Sequence, residues 1–339
     1  MYRLMASTPT VSFVIAAYNG AEYIAETLRS VLAQTLSDLE VIVVDDASTD
    51  NTVAVVNETP DPRIRVLRNI HNQGASSARN RGIAAAIGTF VVVHDQDDLS
   101  LPDRLERQVA FLVAHPGVVA VGGQMETFGL RQEAWPFEVA SDVVMCKMLF
   151  ACEMLHGTVL MRMAALRKLN RVYDPSISIC ADYELWTRLM EVGELANLPE
   201  VLLRYRLHGD NYSVREGGSM EPCVHAVHAR LLSRLGIEAT SVELELHGRL
   251  ARGTSDATAG SSGRDLDDWL MRIVTANART GLFPAATLRR LVNEVWFNAC
   301  KRASRSRIRR VFRFWPARTS RILGLGAWAR NGLSLALRG

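Results

Sequence analysis

The sequence holds no run of about 18 apolar residues, the length a helix needs to cross a bilayer. Its nearest candidate, Ile322 to Leu337, is broken by Arg330 and Asn331, and Met1-Tyr2-Arg3-Leu4-Met5 lacks the apolar core of a signal peptide. A cytoplasmic protein is expected, soluble or peripheral on the inner face of the membrane. Cysteine is scarce: Cys146, Cys152, Cys180, Cys223 and Cys300 form no CxxC pair and no disulfide-like spacing, which fits a reducing compartment and small buried side chains. No Gly-rich phosphate loop followed by Lys opens the chain, which counts against a nucleotidyltransferase. Acids are missing altogether from Cys300 onward, a stretch with many arginines and one lysine. Since the net charge of the whole is only +3, the rest of the chain is net acidic.

What is present is an ordinary globular composition, 339 residues of which 48% are hydrophobic. That length buries one sizeable core and leaves a second, smaller region. The apolar runs Val11–Ala17, Val41–Val44, Arg65–Leu67 and Thr89–Val93 read as strands. Helical spacing separates them: Ile24, Leu28, Val31 and Leu32; Thr52, Val53, Val55 and Val56; then Ala75 to Ala86. Asn19 and Glu22 have the form of a capping pair. Near-continuous apolar strands alternating with amphipathic helices predict an α/β fold, with a mostly parallel sheet covered on both faces by helices.

Ligands of such sheets bind outside the carboxyl ends of the strands, where two acid-rich segments fall: Asp45-Asp46 and His94-Asp95-Gln96-Asp97-Asp98. Three carboxylates within four residues suit a hard divalent cation and a phosphate. Leu101-Pro102-Asp103-Arg104 reads as the start of the next helix, so a tight strand-to-helix turn would hold the acids.

These segments resemble the family 2 glycosyltransferases, inverting enzymes of the GT-A (Rossmann-like) fold that use a nucleotide-sugar donor. The likeness rests on Val11 to Asn19, Val43-Val44-Asp45-Asp46-Ala47-Ser48-Thr49-Asp50, Asn72-Gln73-Gly74, Ala78-Arg79-Asn80-Arg81-Gly82, Asp95-Gln96-Asp97-Asp98, Ala181-Asp182-Tyr183-Glu184-Leu185-Trp186 and Arg204-Tyr205-Arg206-Leu207-His208. It implies a GT-A catalytic domain over 8–212. By the same resemblance Asp46 meets the donor's base with Ala16 and Tyr18 beside it. Asp95 and Asp97 form the DxD pair, Asp95 facing the ribose or metal and Asp97 holding Mn²⁺ or Mg²⁺. His208 lies near the donor phosphates or metal, and Asp182 is the catalytic base. The role of Asp98 stays open.

The chemistry asks for the same residue types. A departing nucleoside diphosphate gains negative charge that a divalent cation neutralises, and an attacking hydroxyl must lose its proton to a carboxylate in reach. Ala181 stands where a Glu often precedes the base, and Asp182 would also serve simply to open a helix. His94 and His156 read as packing or rim residues, although His156-Gly157-Thr158 would also suit the acceptor side. Arg79 and Arg81 read as solvated helix arginines that would otherwise reach phosphate. No Gln-x-x-Arg-Trp motif follows Asp182, which favours transfer of one sugar at a time.

Residues 213–339 read as a mainly helical region with a Gly/Ser-rich linker, Gly253 to Gly263, and a basic, aromatic-containing tail. From Lys301 to Arg321 arginines interleave with Val311, Phe312, Phe314 and Trp315, a pattern suited to an anionic membrane surface or to a solvated helix face. Nucleic acid is not expected, because no such motif accompanies the charge. The function expected is metal-dependent transfer of a sugar to a saccharide or lipid-linked saccharide acceptor in cell-surface polysaccharide or glycoconjugate synthesis. The alternative is a non-catalytic nucleotide-sugar-binding or interaction subunit that retains the fold.

Overall fold

The computed structural model describes residues 8–177, 179–209, 220–253 and 263–303. They divide into two compact units. One comprises the described residues of Met1–Val144 and Glu153–Gly218, the other those of Met145–Cys152 and Ser219–Gly339.

The first unit is built on one nine-stranded sheet. Its leading strands are β1 (Val11–Ala17), β2 (Leu39–Asp45), β3 (Ile64–Arg68) and β4 (Phe90–Asp95), and all three pairings among them are parallel. The β-branched residues of β1 and β2 explain this. Val11, Phe13, Val14, Ile15, Val41, Ile42, Val43 and Val44 are all wholly buried, so both faces of these strands are covered. The helices α1 (Ile24–Leu32), α2 (Thr52–Asn57) and α3 (Ala75–Ala85) connect them. Ile24, Leu28 and Val31 bury the inner stripe of α1, each contributing roughly 1.5–3 kcal/mol of transfer free energy.

Beyond β4 the sheet becomes mixed. After β5 (Leu99–Ser100) and α4 (Arg104–Ala114) come β6 (Val118–Gly129), β7 (Ala134–Trp135), β8 (Leu160–Arg162) and β9 (Glu194–Leu207). β8 is antiparallel to both β4 and β6, and β6 is parallel to β9. Two reversals restore the original direction, so β1, β2, β4, β6 and β9 all end at the same edge. Pro199 falls within an irregularity of β9, between the residues paired with Gly122 and Gln124, where its missing N–H costs no ladder bond.

Two expectations about the turns need correction. Tyr23, not Asn19, occupies the N-cap of α1, with no side-chain cap. Asn19 Oδ1 instead accepts from the Thr49 N–H at 2.9 Å, tying the turn after β1 to the turn after β2. The acidic turn does not lead straight into a helix either, because β5 intervenes and pairs with β9.

The second unit is helical: α8 (Glu221–Arg234), α9 (Ser241–Arg252), α10 (Gly263–Thr280) and α11 (Ala285–Ala303) follow the shorter α5 (Ser141–Lys147), α6 (Met163–Leu166) and α7 (Ala181–Leu189) of the earlier chain. A full capping box opens α9, with Thr240 and Glu243 bonding each other's backbone N–H. Most of the basic tail lies outside the described residues. Among the described residues no helix is long and apolar enough to cross a membrane. The expectation of no disulfide is corrected at Cys180 and at Cys223, each of which is disulfide-bonded, whereas Cys146 and Cys152 take part in no disulfide.

Candidate active site

Register brings the two acid clusters together. Ala17 of β1 is the partner of Asp45 on one side, and Ala16 is the partner of Asp95 on the other. The last residues of three adjacent strands thus deliver Asp45, Asp46 and Asp95 to one edge, with Ala16 between them and Tyr18 beyond it, 45% exposed. Gln96 locks this edge: its side-chain Oε1 accepts from the Tyr18 N–H at 2.9 Å, and its Nε2 donates to the Tyr18 carbonyl at 3.1 Å.

Three non-glycine residues among the described ones have positive φ: Asn19 at 49°, Ala47 at 63° and Cys180 at 51°. They lie in the turn after β1, in the turn after β2 and at the N-cap of α7. Such conformations are unfavourable for residues bearing Cβ and persist where surrounding contacts impose them. All three turns adjoin sequence-expected site residues.

The carboxylate of Asp46 is buried and already occupied. It accepts from Asn69 Nδ2 at 2.6 Å, from the Gln73 N–H at 3.0 Å and from the Gly74 N–H at 2.8 Å. Asp46 therefore shapes the loop that leads into α3. Gly74 begins that helix at φ 84°, a conformation that favours glycine.

Asp95 is held by Arg79, whose Nη2 lies 2.8 Å from its Oδ1, and His156 Nδ1 lies 3.8 Å from its Oδ2. Burial pushes the Asp95 carboxyl upward, but Arg79 and His156 outweigh it and hold the group well below the usual carboxylate range. Arg79 also lies 5.7 Å from the centre of the Tyr173 ring, and the Tyr173 hydroxyl is 2.8 Å from His156 Nε2. The solvated-arginine reading of Arg79 is thereby corrected, as is the rim reading of His156, which is buried beside Asp95. Arg81 bonds Asn69 rather than solvent alone. His94 is a packing residue, fully buried, and burial and the charge of Arg104 push it down to about 4.

Asp97 faces His208, with Oδ2 and Nε2 2.8 Å apart. Burial and the neighbouring charge of Asp95 raise the Asp97 carboxyl, while His208 opposes the shift. The His208 ring lies against Tyr23 at 4.8 Å. Asp98 is fully buried, and its Oδ1 accepts from the Arg206 N–H at 2.9 Å. Arg206 Nε in turn donates to the Asp97 carbonyl at 2.9 Å, and its guanidinium lies between the rings of Tyr23 and Phe128, 4.8 and 4.4 Å from their centres. Asp98 and Arg206 thus stitch the end of β9 onto the acidic turn. Sequence reasoning missed Arg206; the one signal was its place two residues before His208.

Asp182 sits in the first turn of α7, half-buried, where the helix dipole favours a carboxylate. Its Oδ1 accepts from the Tyr183 N–H at 2.8 Å. The Asp182 charge acts on both Arg79 and Tyr173, so Asp182 belongs to the same electrostatic cluster as Asp95.

Residues 12–174 match the sequence model of glycosyl transferase family 2. The putative glycosyltransferase EpsE of Bacillus subtilis is 34% identical over 219 residues, covering 62% of this chain and 78% of that protein. The chain belongs to glycosyl transferase family 2. A further family relative is the UDP-Glc:alpha-D-GlcNAc-diphosphoundecaprenol beta-1,3-glucosyltransferase WfaP of Escherichia coli, 28% identical over 210 residues, covering 61% of this chain and 80% of WfaP. Among solved structures, S. aureus TarS 1–349 in complex with UDP-GlcNAc is similar in fold, with a TM-score of 0.57 and 17% identity over 96% of this chain and 91% of that one. The family 2 glycosyltransferase described here is accordingly an enzyme with the expected GT-A fold and a helical C-terminal region.

Proposed function

We propose that this glycosyltransferase moves a single sugar from a nucleotide-diphosphate sugar to a saccharide or lipid-linked saccharide acceptor, with inversion at the anomeric carbon. The observation that carries the proposal is the convergence of Asp95, Asp97 and His208 at the edge where β1, β2 and β4 end, with Asp182 coupled to them through Arg79 and Tyr173. The relatives support the substrate class: WfaP is named for a UDP-sugar donor and a lipid-diphosphate-linked acceptor, and TarS binds UDP-GlcNAc.

The residues fit a divalent cation. Asp97 Oδ2 and His208 Nε2 are 2.8 Å apart, one a hard oxygen donor and the other an imidazole. Few protein ligands suffice when donor phosphates and water complete the shell, as is usual for Mg²⁺. Asp97 and His208 would hold Mn²⁺ or Mg²⁺, with Asp95 beside them. Such an ion, when bound, supplies charge neutralisation on the leaving nucleoside diphosphate.

The chain's own residues do the remaining work. Tyr18 and the backbone of Ala16 line the floor on which the nucleoside rests, and the Asp46-braced loop closes one side. Arg79 holds Asp95 ionised and in place. Asp182 accepts the proton of the attacking acceptor hydroxyl at its carboxylate oxygen, opposite the leaving diphosphate. A single base with in-line attack inverts the anomeric centre. The basic tail supports contact with an anionic membrane surface, where a lipid-linked acceptor resides.

The test is a transfer assay with a panel of UDP-, GDP- and dTDP-sugars, each with Mn²⁺, Mg²⁺ or EDTA, scoring donor binding and donor hydrolysis separately. Metal-dependent binding with turnover supports the proposal. Binding with neither transfer nor hydrolysis would turn the reading to a non-catalytic nucleotide-sugar binder.

A further inference from the structure

The hairpin that joins β6 to β7 presents an aromatic face to solvent. Trp135 is 42% exposed, and its ring stacks on Tyr205 of β9 with centroids 6.5 Å apart and planes 26° from parallel. A half-exposed tryptophan is expensive to keep wet, and exposed apolar surface near a site commonly marks a ligand groove.

The segment carrying Trp135 is held on both sides. Before it, the Thr127 N–H donates to the Glu133 carbonyl at 2.8 Å, and the Glu133 N–H donates to Thr127 Oγ1 at 2.9 Å. After it, Gln124 accepts from the Phe137 N–H at 2.5 Å and donates to the Leu198 carbonyl at 2.8 Å. Trp135 itself is paired with Met125 of β6. The aromatic surface is therefore preorganised, which lowers the ordering cost of binding.

Its position ties it to the active site. β6 and β9 end at the same edge as β1, β2 and β4, and Tyr205 stands three residues before His208. Leu203 and Tyr205 share one face of β9. The His156 turn meets that face: a Cβ added at Gly157 would lie 2.8 Å from Leu203 Cδ2 and 3.4 Å from Asp98 Oδ2. The Trp135–Tyr205 pair thus lies on the same face of the sheet as Leu203, which packs beneath the His156 turn. Arg204 and Glu126, with Nε and Oε1 3.1 Å apart, alternate with these residues and lie on the opposite face of the sheet.

We propose that Trp135 and Tyr205 form an acceptor subsite that stacks a pyranose ring of the incoming saccharide, its axial C–H groups against the aromatic faces. The inference rests on the glycosyl-transfer reading above and adds the place where the acceptor is held. Neither residue touches the reacting atoms, so their loss should raise the acceptor KM and leave donor binding alone.

The experiment uses the full chain with UDP and Mn²⁺, titrated with an array of di- to tetrasaccharides of neutral and acidic hexoses, with donor affinity measured separately by calorimetry. Trp186, Trp269 and Trp296 are buried, and Trp315 and Trp328 lie outside the described residues, so the part of a saccharide-induced change in tryptophan emission that is lost in W135F is expected to report on Trp135. Saccharide binding that weakens about tenfold or more in W135A and Y205A, with partial retention in W135F and unchanged donor affinity, supports the subsite. Unchanged saccharide affinity in folded W135A, or no saccharide bound by a wild-type protein that does bind donor, overturns it while leaving the proposed function intact. Absence of donor binding in the wild-type protein would sink both.

Discussion

Arg79 Nη2 and Asp95 Oδ1 lie 2.8 Å apart, and this pair joins α3 to the carboxyl end of β4. The guanidinium also stands over Tyr173 and feels the charge of Asp182, so one arginine links the donor side of the site to the expected base. Replacing it with methionine strands a mostly buried carboxylate beside Asp97. The expected result for R79M is a loss of about 1–3 kcal/mol in urea unfolding together with a marked fall in turnover. Unaltered stability and activity would mean that the pair is an incidental contact.

Asp97 and His208 should govern metal dependence. D97A is expected to abolish metal-stimulated donor binding. H208A should retain binding but shift the Mn²⁺ midpoint to higher concentration, by roughly 10-fold or more. Calorimetry across a Mn²⁺ series decides it, and an unshifted midpoint in H208A would remove the histidine from the ligand set.

Asp182 should matter for chemistry and not for donor affinity. D182N keeps the side chain's shape at the start of α7 but cannot take a proton. A fall in kcat of about 10²–10⁴ with unchanged donor Kd is expected. Near-full turnover in D182N would show that another group accepts the proton.

Asp46 makes a prediction about the scaffold. Its carboxylate accepts from Asn69, Gln73 and Gly74 together, so D46A removes the acceptor of the buried Asn69 amide and of two N–H groups of the loop. A loss of about 2–4 kcal/mol is expected, with faster hydrogen exchange at Gln73 and Gly74. Wild-type protection of those two amides in D46A would contradict the bracing role.

The helical unit should weaken in acid. His247 is neutral by geometry: its Nδ1 accepts from Trp269 Nε1 at 3.3 Å while its Nε2 is 2.8 Å from the Leu149 carbonyl. Burial pushes His247 down to about 4, and burial together with the charge that His247 would carry once protonated pushes His228 down to about 3. Both native values lie below the unfolded value near 6.5, so the unfolded chain binds more protons between them. Stability is fully present above about pH 6.5 and is lost as pH falls, by up to about 1.4 kcal/mol per pH unit for each histidine. Unfolding midpoints measured from pH 7.5 to 5 should fall, with a shallower slope in H228Q. An identical slope in that variant would assign the acid sensitivity elsewhere.

Much of the first unit was legible because its determinants are local. The run Val11–Ala17 coincides with β1, and the helical spacing from Ile24 coincides with the start of α1. The parallel arrangement followed from apolar residues on both faces of short strands, and parallel pairing then placed Asp45 and Asp95 at one edge. The β6–β9 ladder was not legible. It pairs Val118 with Glu194 and Gly129 with Leu207, separations over which sequence periodicity carries no pairing information. Arg79, Arg206 and His156 were misread or missed for a related reason: a charged or imidazole side chain on a helix or strand is usually solvated, and only the partner brought by the fold reveals otherwise.

The sequence by itself determined that this is an α/β chain with acids at strand ends, because strand propensity, burial pattern and motif order are properties of contiguous residues. The tertiary structure alone decided which groups those acids face. Asp46 turned inward to Asn69 and Gly74, Asp95 met Arg79 and His156, Asp97 met His208, and Asp98 met the backbone of Arg206. The energies of burial and pairing depend on distances between residues far apart in the chain, and folding alone sets those distances.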